Sequence, residues 1–273
     1  MAVIFLYNDY NPQQSLFFMA THFPIETTEP GCSQCHVPLG FEFTFAFQPI
    51  VHIFEEDIWG YEALVRGIEE KTAWSVLKLV NDDNRYAFDQ ACRTTAIALA
   101  SRLNLDKMLS INFLPNAVYE PRHCIQSTLK AAKEHDFSLE KIMFEITESE
   151  LVVDRAHLTN IFEYYQSQGF TTALDDFGEG HAGLNMLASF VPNILKIDME
   201  LVQNVDQSPV KQVITKNLIQ MCKELNVMVL AEGIERIEEV NYFKALGVPL
   251  MQGYFFAKPG FESLPEVDFS TLD

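Results

Sequence analysis

Basic residues are scarce in this chain of 273 residues, which has 19 lysines and arginines against 38 aspartates and glutamates and a formal net charge of −19. A nucleic-acid polymer needs a positively charged partner surface, so this balance argues against one. The first basic residues are Arg66 and Lys71, so the N-terminus lacks the positive flank of a secretory signal. No apolar run approaches the roughly 20 residues that span a membrane. We therefore expect a cytoplasmic protein with no membrane segment.

Cysteine is also scarce, and its five positions are too few and odd in number for a disulfide framework. Cys32-Ser-Gln-Cys35-His36 fits the pattern for covalent c-type haem attachment, which normally takes place outside the cytoplasm. A zinc half-site, a redox pair and a plain turn with two thiols are the other interpretations, and the plain turn is favoured. Residues 1–40 contain four prolines and no basic residue, and we interpret them as an N-terminal extension or linker.

From Phe41 onward, short β-rich apolar runs alternate with longer segments of helical spacing. Helices are predicted at about 72–80, 86–103, 123–134, 154–168, 181–189, 207–225 and 236–246, and strands at Phe45–Val51, Gly60–Val65, Leu109–Phe113, Ile142–Ile146, Thr171–Leu174, Ile194–Ile197, Val227–Ala231 and Leu250–Tyr254. This alternation predicts an α/β fold, a TIM-like (β/α)8 barrel over residues 41–265 with a C-terminal tail, 266–273. The connection between the first two strands is too short for a parallel crossover, so that pair should be antiparallel.

Polar residues, most of them acids, recur where the apolar runs end: Glu62, Asn112, Glu145, Asp175, Asp176, Lys196, Asp198, Glu232 and Gln252. In a barrel the carboxyl ends of the strands meet at one mouth, where active sites are built. A salt bridge or a helix cap explains one such acid. Six carboxylates with one nearby lysine would repel each other unless cations lay between them.

Oxygen ligands favour Mg²⁺ or Mn²⁺ over zinc, which prefers histidine and cysteine. The neighbouring acids Asp175 and Asp176 suit two metals, because the backbone at a strand end can turn both carboxylates toward one centre. Two metals about 3.5–4 Å apart would activate a water and hold both oxygens of an in-line phosphoryl displacement. The residues alone thus predict a metal-dependent phosphoester hydrolase.

Seven motifs resemble, in order, those of the EAL-domain family, the cyclic-di-GMP phosphodiesterases of bacterial second-messenger signalling. They are Gln48-Pro49-Ile50, Glu62-Ala63-Leu64-Val65-Arg66, Phe144-Glu145-Ile146-Thr147-Glu148-Ser149, Asp175-Asp176-Phe177-Gly178, Leu195-Lys196-Ile197-Asp198, Ala231-Glu232-Gly233-Ile234-Glu235 and Gln252-Gly253-Tyr254-Phe255-Phe256-Ala257-Lys258-Pro259. The resemblance covers nearly all of residues 41–260. It implies two metal ions, Mg²⁺ or Mn²⁺, and hydrolysis of cyclic-di-GMP to linear pGpG.

The resemblance also implies a role for each site residue. One metal would be held by Glu62, Asn112, Glu145 and Asp175, and the second by Asp175, Asp176 and Glu232, with Asp175 bridging. Lys196 would position or help to deprotonate the attacking water. Glu235 and Glu148 would support catalysis, and the dinucleotide would be contacted by Gln48, Arg66, Gln252 and Asp198. Members often dimerise through helices near the loop that follows the Asp-Asp strand, so a homodimer is expected.

The chain departs from the family pattern after Asp-Asp-Phe-Gly, where Glu179-Gly180-His181 replaces the common T-G-Y. Glu179 adds a negative charge beside an acidic site, which leaves the regulation by this loop open. Two other functions remain: a receptor that binds cyclic-di-GMP without cleaving it, and a hydrolase for another phosphodiester. Receptors of this kind usually lack one or more metal-binding acids. The complete set present here favours catalysis.

Overall fold

The computed structural model describes residues 38–118, 120–147, 155–179 and 183–272. Within these residues, eight strands close into a barrel, and a ninth strand pairs with the first one outside it. The strands are β1 Phe43–His52, β2 Asp57–Gly67, β3 Met108–Asn112, β4 Ile142–Thr147, β5 Thr171–Phe177, β6 Ile194–Ile197, β7 Met228–Ala231, β8 Leu250–Met251 and β9 Gly260–Phe261. The predicted TIM-like barrel is confirmed.

Helices cover the outside of the barrel, as right-handed crossovers between parallel strands require. They are α1 Ala73–Leu77, α2 Arg85–Arg102, α3 Pro121–Cys124, α4 Gln126–Glu134, α5 Arg155–Ser167, α6 Gly183–Ser189, α7 Met199–Val202, α8 Pro209–Glu224 and α9 Ile237–Ala245. The main apolar core lies between strands and helices and includes the fully buried Ile97, Phe144 and Leu195. None of the helices that the structure describes combines the length and apolar composition that a membrane crossing requires.

The first strand pair is antiparallel, as the short connection predicts, and Gln48 of β1 lies opposite Glu62 of β2. Both strands run past the barrel mouth and form a wall above it, to which β9 adds through the pairing of Phe261 with Ala46. The eighth strand is shorter than predicted. It ends at Met251, because the chain then pairs with the loop after β7, where the Ile234 amide donates to the Gln252 carbonyl.

A small second core fills the lower part of the barrel and explains where the site lies. Its members are Ile50, Met143, Ala173, Ile194, Leu230 and Leu250. Side chains alternate between inside and outside along a strand, so the residue two positions nearer the mouth also points inward. Those residues are Gln48, Glu145, Asp175, Lys196, Glu232 and Gln252. An apolar layer therefore closes the barrel directly beneath a polar one.

Candidate metal centre and cavity

Five carboxylates meet at the barrel mouth in two groups that share one member. Ligand oxygens of Glu62, Glu145 and Asp175 lie within 4.8 Å of one another, and so do those of Asp175, Asp176 and Glu232. Both groups are buried. Their acids are those that the family resemblance assigns to the two metals, with Asp175 common to both. The remaining expected ligand, Asn112, donates from Nδ2 to Glu62 Oε1 at 3.0 Å and so lies beside the first group.

The backbone of β5 explains how two consecutive residues face one centre. Asp176 has a φ of +54°, a left-handed conformation that aspartate adopts more readily than most residues. The pairing of β5 with β6 is irregular here, with Leu174 opposite Leu195 but Phe177 opposite Ile197. One extra residue in β5 bends the strand end, as in a β-bulge. The Asp176 amide then donates to Asp175 Oδ1 at 2.9 Å, which keeps the two carboxylates together.

Lys196 lies below this cluster and is fully buried. Its Nζ is 2.9 Å from Glu232 Oε1, 3.0 Å from Asp175 Oδ1 and 3.1 Å from Glu145 Oε2. Five carboxylates against one ammonium leave four negative charges uncompensated when all are ionised. Two divalent cations would balance that charge, and a single lysine does not.

The excess of negative charge in the cluster, together with burial, also shifts the pKa values of its members. Burial, with repulsion from neighbouring carboxylates, raises the pKa of Glu145 to about 8. Burial and the adjacent Asp175 raise the pKa of Asp176 to about 9, and Glu179 contributes to this rise, in line with the charge expected from the sequence. Burial also raises the pKa of Glu232. Burial opposes the charged form of Lys196, but the surrounding acids, Asp175 first among them, raise its pKa above the ordinary value.

The carboxylates fit a pair of hard divalent cations. Both carboxylate oxygens of Asp176, and Oε2 of Glu232, are buried without a hydrogen-bond donor among the described residues. A buried anionic oxygen without a donor is costly unless a cation takes the donor's place. The donor set around them is all oxygen, which suits Mg²⁺ or Mn²⁺.

Metal binding is expected to stabilise the protein more at high pH than at low pH. An acid whose pKa is higher in the folded than in the unfolded state stabilises the fold at pH values below its unfolded pKa. This stabilisation is lost as the pH rises through its folded pKa. For Glu145 that window runs from 4.5 to about 8, and for Asp176 from 3.8 to about 9. Cations compete with these protons. The Tm increase produced by saturating Mn²⁺ should therefore be several degrees larger near pH 8.5 than near pH 6.

A variant can assign this pH dependence to the cluster. Asp176→Asn removes one of the three carboxyl groups of the cluster whose pKa is raised, while keeping the side chain's size. The difference between the Tm increases at pH 8.5 and pH 6 should therefore shrink. An equal Mn²⁺ effect at both pH values in the wild-type protein would contradict competition between metal and protons at this cluster.

Two of the predicted substrate contacts, Gln48 and Gln252, form a polar chain with Glu62. Gln252 Nε2 lies 2.7 Å from Glu62 Oε2 and 3.2 Å from Gln48 Oε1. Gln48 Nε2 in turn donates to the Ala257 carbonyl at 3.2 Å. Both amides line the cavity, but their contacts also fix the carboxylate of Glu62. The sequence indicated Gln252 as a site residue but not its contact with Glu62, because that contact depends on a register between β1, β2 and β8 that motifs alone do not give.

Two other predicted site residues, Asp198 and Glu235, do not belong to the two carboxylate groups. Asp198 is buried, and its Oδ1 accepts a hydrogen bond from the Glu200 amide at 2.8 Å, which caps α7. Glu235 Oε1 accepts from Gln203 Nε2 at 3.3 Å on an exposed surface. Neither belongs to the residues that line the main described cavity. Outside the described residues lie Glu148, His181 and the Cys32-Ser-Gln-Cys35-His36 segment.

A cavity of about 670 Å³ opens above the carboxylates, a volume typical of small-molecule sites. We name its floor the inner chamber, lined by Gln48, Glu62, Asn112, Asp175, Asp176, Glu232 and Gln252. We name its upper part the outer chamber, lined by Ala46, Leu64, Arg66, Glu70, Trp74 and Phe261. Arg66 was predicted as a substrate contact and does lie in the outer chamber. Sequence reasoning missed Trp74, because its exposure is visible only in the structure.

Solved structures similar to this chain contain a cyclic dinucleotide. A standalone EAL protein from Vibrio cholerae O395 in its c-di-GMP-bound form has a TM-score of 0.83 at 56% sequence identity, covering 85% of this chain and 99% of that one. The manganese and cyclic-di-GMP complex of BlrP1 from Klebsiella pneumoniae has a TM-score of 0.78 at 30% identity, covering 85% of this chain and 59% of that one.

Curated relatives point to the same family but differ in their stated roles. The blue light- and temperature-regulated antirepressor BluF of Escherichia coli K12 is 32% identical over 224 residues, which are 82% of this chain and 56% of BluF. Other relatives from that organism are named probable cyclic di-GMP phosphodiesterases. This chain spans about half the length of the curated relatives it matches. The EAL domain family model matches residues 39–259, from just before β1 to Pro259 on the cavity wall, and the chain belongs to the EAL domain family.

Proposed function

We propose that this chain is a metal-dependent phosphodiesterase that hydrolyses cyclic-di-GMP to linear pGpG. The observation that carries the proposal is the pair of buried carboxylate groups that share Asp175 at the floor of an open cavity. The bound dinucleotide in the Vibrio and Klebsiella structures supports the choice of substrate.

The chemistry divides between the two chambers. Glu62, Asn112, Glu145 and Asp175 would hold one Mg²⁺ or Mn²⁺, and Asp175, Asp176 and Glu232 the other. Such ions supply an activated water and charge for the phosphate oxygens. Lys196 Nζ lies within reach of three of these carboxylates and would help to position the attacking water among them. Arg66, in the outer chamber, suits a phosphate oxygen through its planar guanidinium.

Product analysis tests the proposal. Purified protein incubated with cyclic-di-GMP and Mn²⁺ or Mg²⁺ should release pGpG, and EDTA should stop the reaction. Generic phosphodiesters should react far more slowly than the cyclic dinucleotide. Binding of cyclic-di-GMP without linear product would support a non-catalytic receptor instead. If generic phosphodiesters were hydrolysed as fast as cyclic-di-GMP, the result would support a hydrolase of another specificity.

The receptor is the second candidate, because the relative BluF is named an antirepressor. The completeness of the carboxylate set argues against it. A site that only binds a dinucleotide has no use for two buried carboxylate groups with one shared member, which are costly to hold without cations.

Four further features of the chain stay predictions. We propose a catalytic barrel over residues 41–265 preceded by an extension or linker, 1–40. Within the predicted tail, 266–273, Phe269 and Leu272 pack against the hydrophobic core. We propose a homodimer, which the exposed Leu184 and Val191 at α6 and its end support. The cytoplasmic location and the plain turn at Cys32-Ser-Gln-Cys35-His36 are also proposed on sequence grounds alone.

A further inference from the structure

The residues that line the cavity wall differ between its floor, near the carboxylates, and its far end. Glu62, Leu64 and Arg66 lie on the same face of β2, because side chains alternate, and all three line the cavity. At about 3.3 Å per residue, Arg66 lies about 13 Å along the strand from Glu62. Glu70 and Trp74 follow just past the end of β2 and line the cavity as well. The far end of the outer chamber is therefore formed by a carboxylate and an indole.

Glu70 is out of place in a site for a dianionic ligand. A carboxylate repels phosphate, so its presence on the cavity wall calls for a ligand group that donates hydrogen bonds. Guanine offers such a group, since its Watson–Crick edge has neighbouring N1–H and N2–H donors. Adenine presents an acceptor at N1 beside its N6 amino group, and that lone pair would face the carboxylate. A glutamate here therefore fits guanine and disfavours adenine.

The backbone holds Glu70 in a tight turn directly after the strand. Glu69 and Glu70 have φ values of +63° and +60°, which cost free energy in residues other than glycine. The Gly67 amide donates to the Lys71 carbonyl at 2.9 Å and closes the turn. A Cβ on Gly67 would come within 2.5 Å of Ser75 Oγ, so turn and helix α1 are packed tightly together. This contact fixes the positions of Glu70 and Trp74 relative to each other.

Trp74 supplies the complementary surface. It is 54% exposed although it is large and apolar, and it lines the cavity. Bases stack on aromatic side chains, and Ala46, Leu64 and Phe261 add apolar surface to the outer chamber. An exposed indole beside an apolar pocket is suited to a purine ring.

We propose that Trp74 and Glu70 form the subsite for one base of the cyclic dinucleotide, with Trp74 stacking on the ring and Glu70 accepting hydrogen bonds from the N1–H and N2–H of guanine. Glu70 is then the residue by which this chain selects guanine over adenine. This inference rests on the proposed function, since it assumes a cyclic dinucleotide in the cavity.

Glu70→Gln tests the selection, with Glu69→Gln as its matched control. Glu69 shares the turn and the left-handed conformation, but it pairs with Lys71 at 3.3 Å and does not line the cavity. Glutamine replaces one acceptor by a donor, which matches adenine. With Mn²⁺, Glu70→Gln should lower kcat/KM for cyclic-di-GMP about tenfold or more through KM, as expected for a lost charge-assisted hydrogen bond. The ratio of kcat/KM for cyclic-di-GMP to that for cyclic-di-AMP should fall by at least as much, and Glu69→Gln should keep the wild-type ratio.

Binding measured without turnover separates this inference from the proposed function. Trp59 and Trp74 are the two tryptophans of the chain, so Trp59→Phe makes Trp74 the single reporter. In EDTA, cyclic-di-GMP should quench its fluorescence, and Glu70→Gln in that background should raise Kd about tenfold. Binding with an unchanged Kd and no quenching overturns the subsite, whether or not wild-type protein hydrolyses the ligand. Binding with the expected shift but no pGpG in Mn²⁺ keeps the subsite and overturns only the hydrolase. Absence of both binding and hydrolysis overturns both.

Discussion

Asp175→Asn is expected to lower turnover of cyclic-di-GMP by at least about 10³-fold, because Asp175 is the one acid common to both carboxylate groups. Asparagine keeps one oxygen but loses the charge and the second oxygen that two cations would need. The fold should persist. Asp175 Oδ1 accepts the Asp176 amide at 2.9 Å and lies 3.0 Å from Lys196 Nζ, and an asparagine oxygen can keep both contacts.

Thermal melts distinguish this loss of metal from a loss of structure. Without metal, Asp175→Asn should melt no lower than the wild-type protein near pH 8.5, since the substitution removes repulsion from a crowded set of acids. Its Tm increase with Mn²⁺ should largely disappear. Asp57→Asn is the matched control, because Asp57 begins β2 at the opposite end of the barrel and pairs with Lys107 on the surface. Near-normal turnover by Asp175→Asn would refute the bridging role.

The barrel and the polar layer were predictable because both depend on local periodicity. Apolar runs separated by helical segments predict strands and crossovers, and polar residues, most of them acids, at the ends of these runs predict a shared mouth. The consecutive acids Asp175 and Asp176 at a strand end predicted a site for two metals, whereas the bridging role of Asp175 was implied by the resemblance to the EAL family. The left-handed Asp176 and the extra residue in β5 are the local means by which both acids face one centre.

The features that escaped prediction depend on contacts between segments distant in sequence. Gln252 reaches Glu62 across 190 residues, and only the closure of the barrel brings them together. The outer chamber needs β9, a two-residue strand too short to carry a pattern of its own. Asp198 follows Lys196 at a strand end and stays a predicted substrate contact, and the structure adds that its carboxylate caps α7. A motif gives the position of such a residue but not the direction of its side chain.

Lys196→Met is expected to reduce kcat by about 10²- to 10⁴-fold while changing the Kd for cyclic-di-GMP only severalfold. Lys196 is fully buried among Glu145, Asp175 and Glu232 and is not one of the residues that line the cavity, so it has little direct contact to offer a ligand. Methionine fills similar space without the ammonium. The comparison needs kcat, KM and a Kd measured in EDTA, with Lys216→Met, exposed on α8, as the control.

The metal response of Lys196→Met separates its role from that of Asp175. Removal of the ammonium leaves every carboxylate oxygen of the two groups in place and makes their surroundings more negative, so cations should bind at least as well as before. The Tm increase with Mn²⁺ should therefore persist in Lys196→Met, whereas Asp175→Asn loses it. A Lys196→Met protein that lost the Mn²⁺ response together with activity would assign the lysine to metal assembly. A raised Kd at unchanged kcat would assign it to substrate binding, and either result would rule out the positioning of the water.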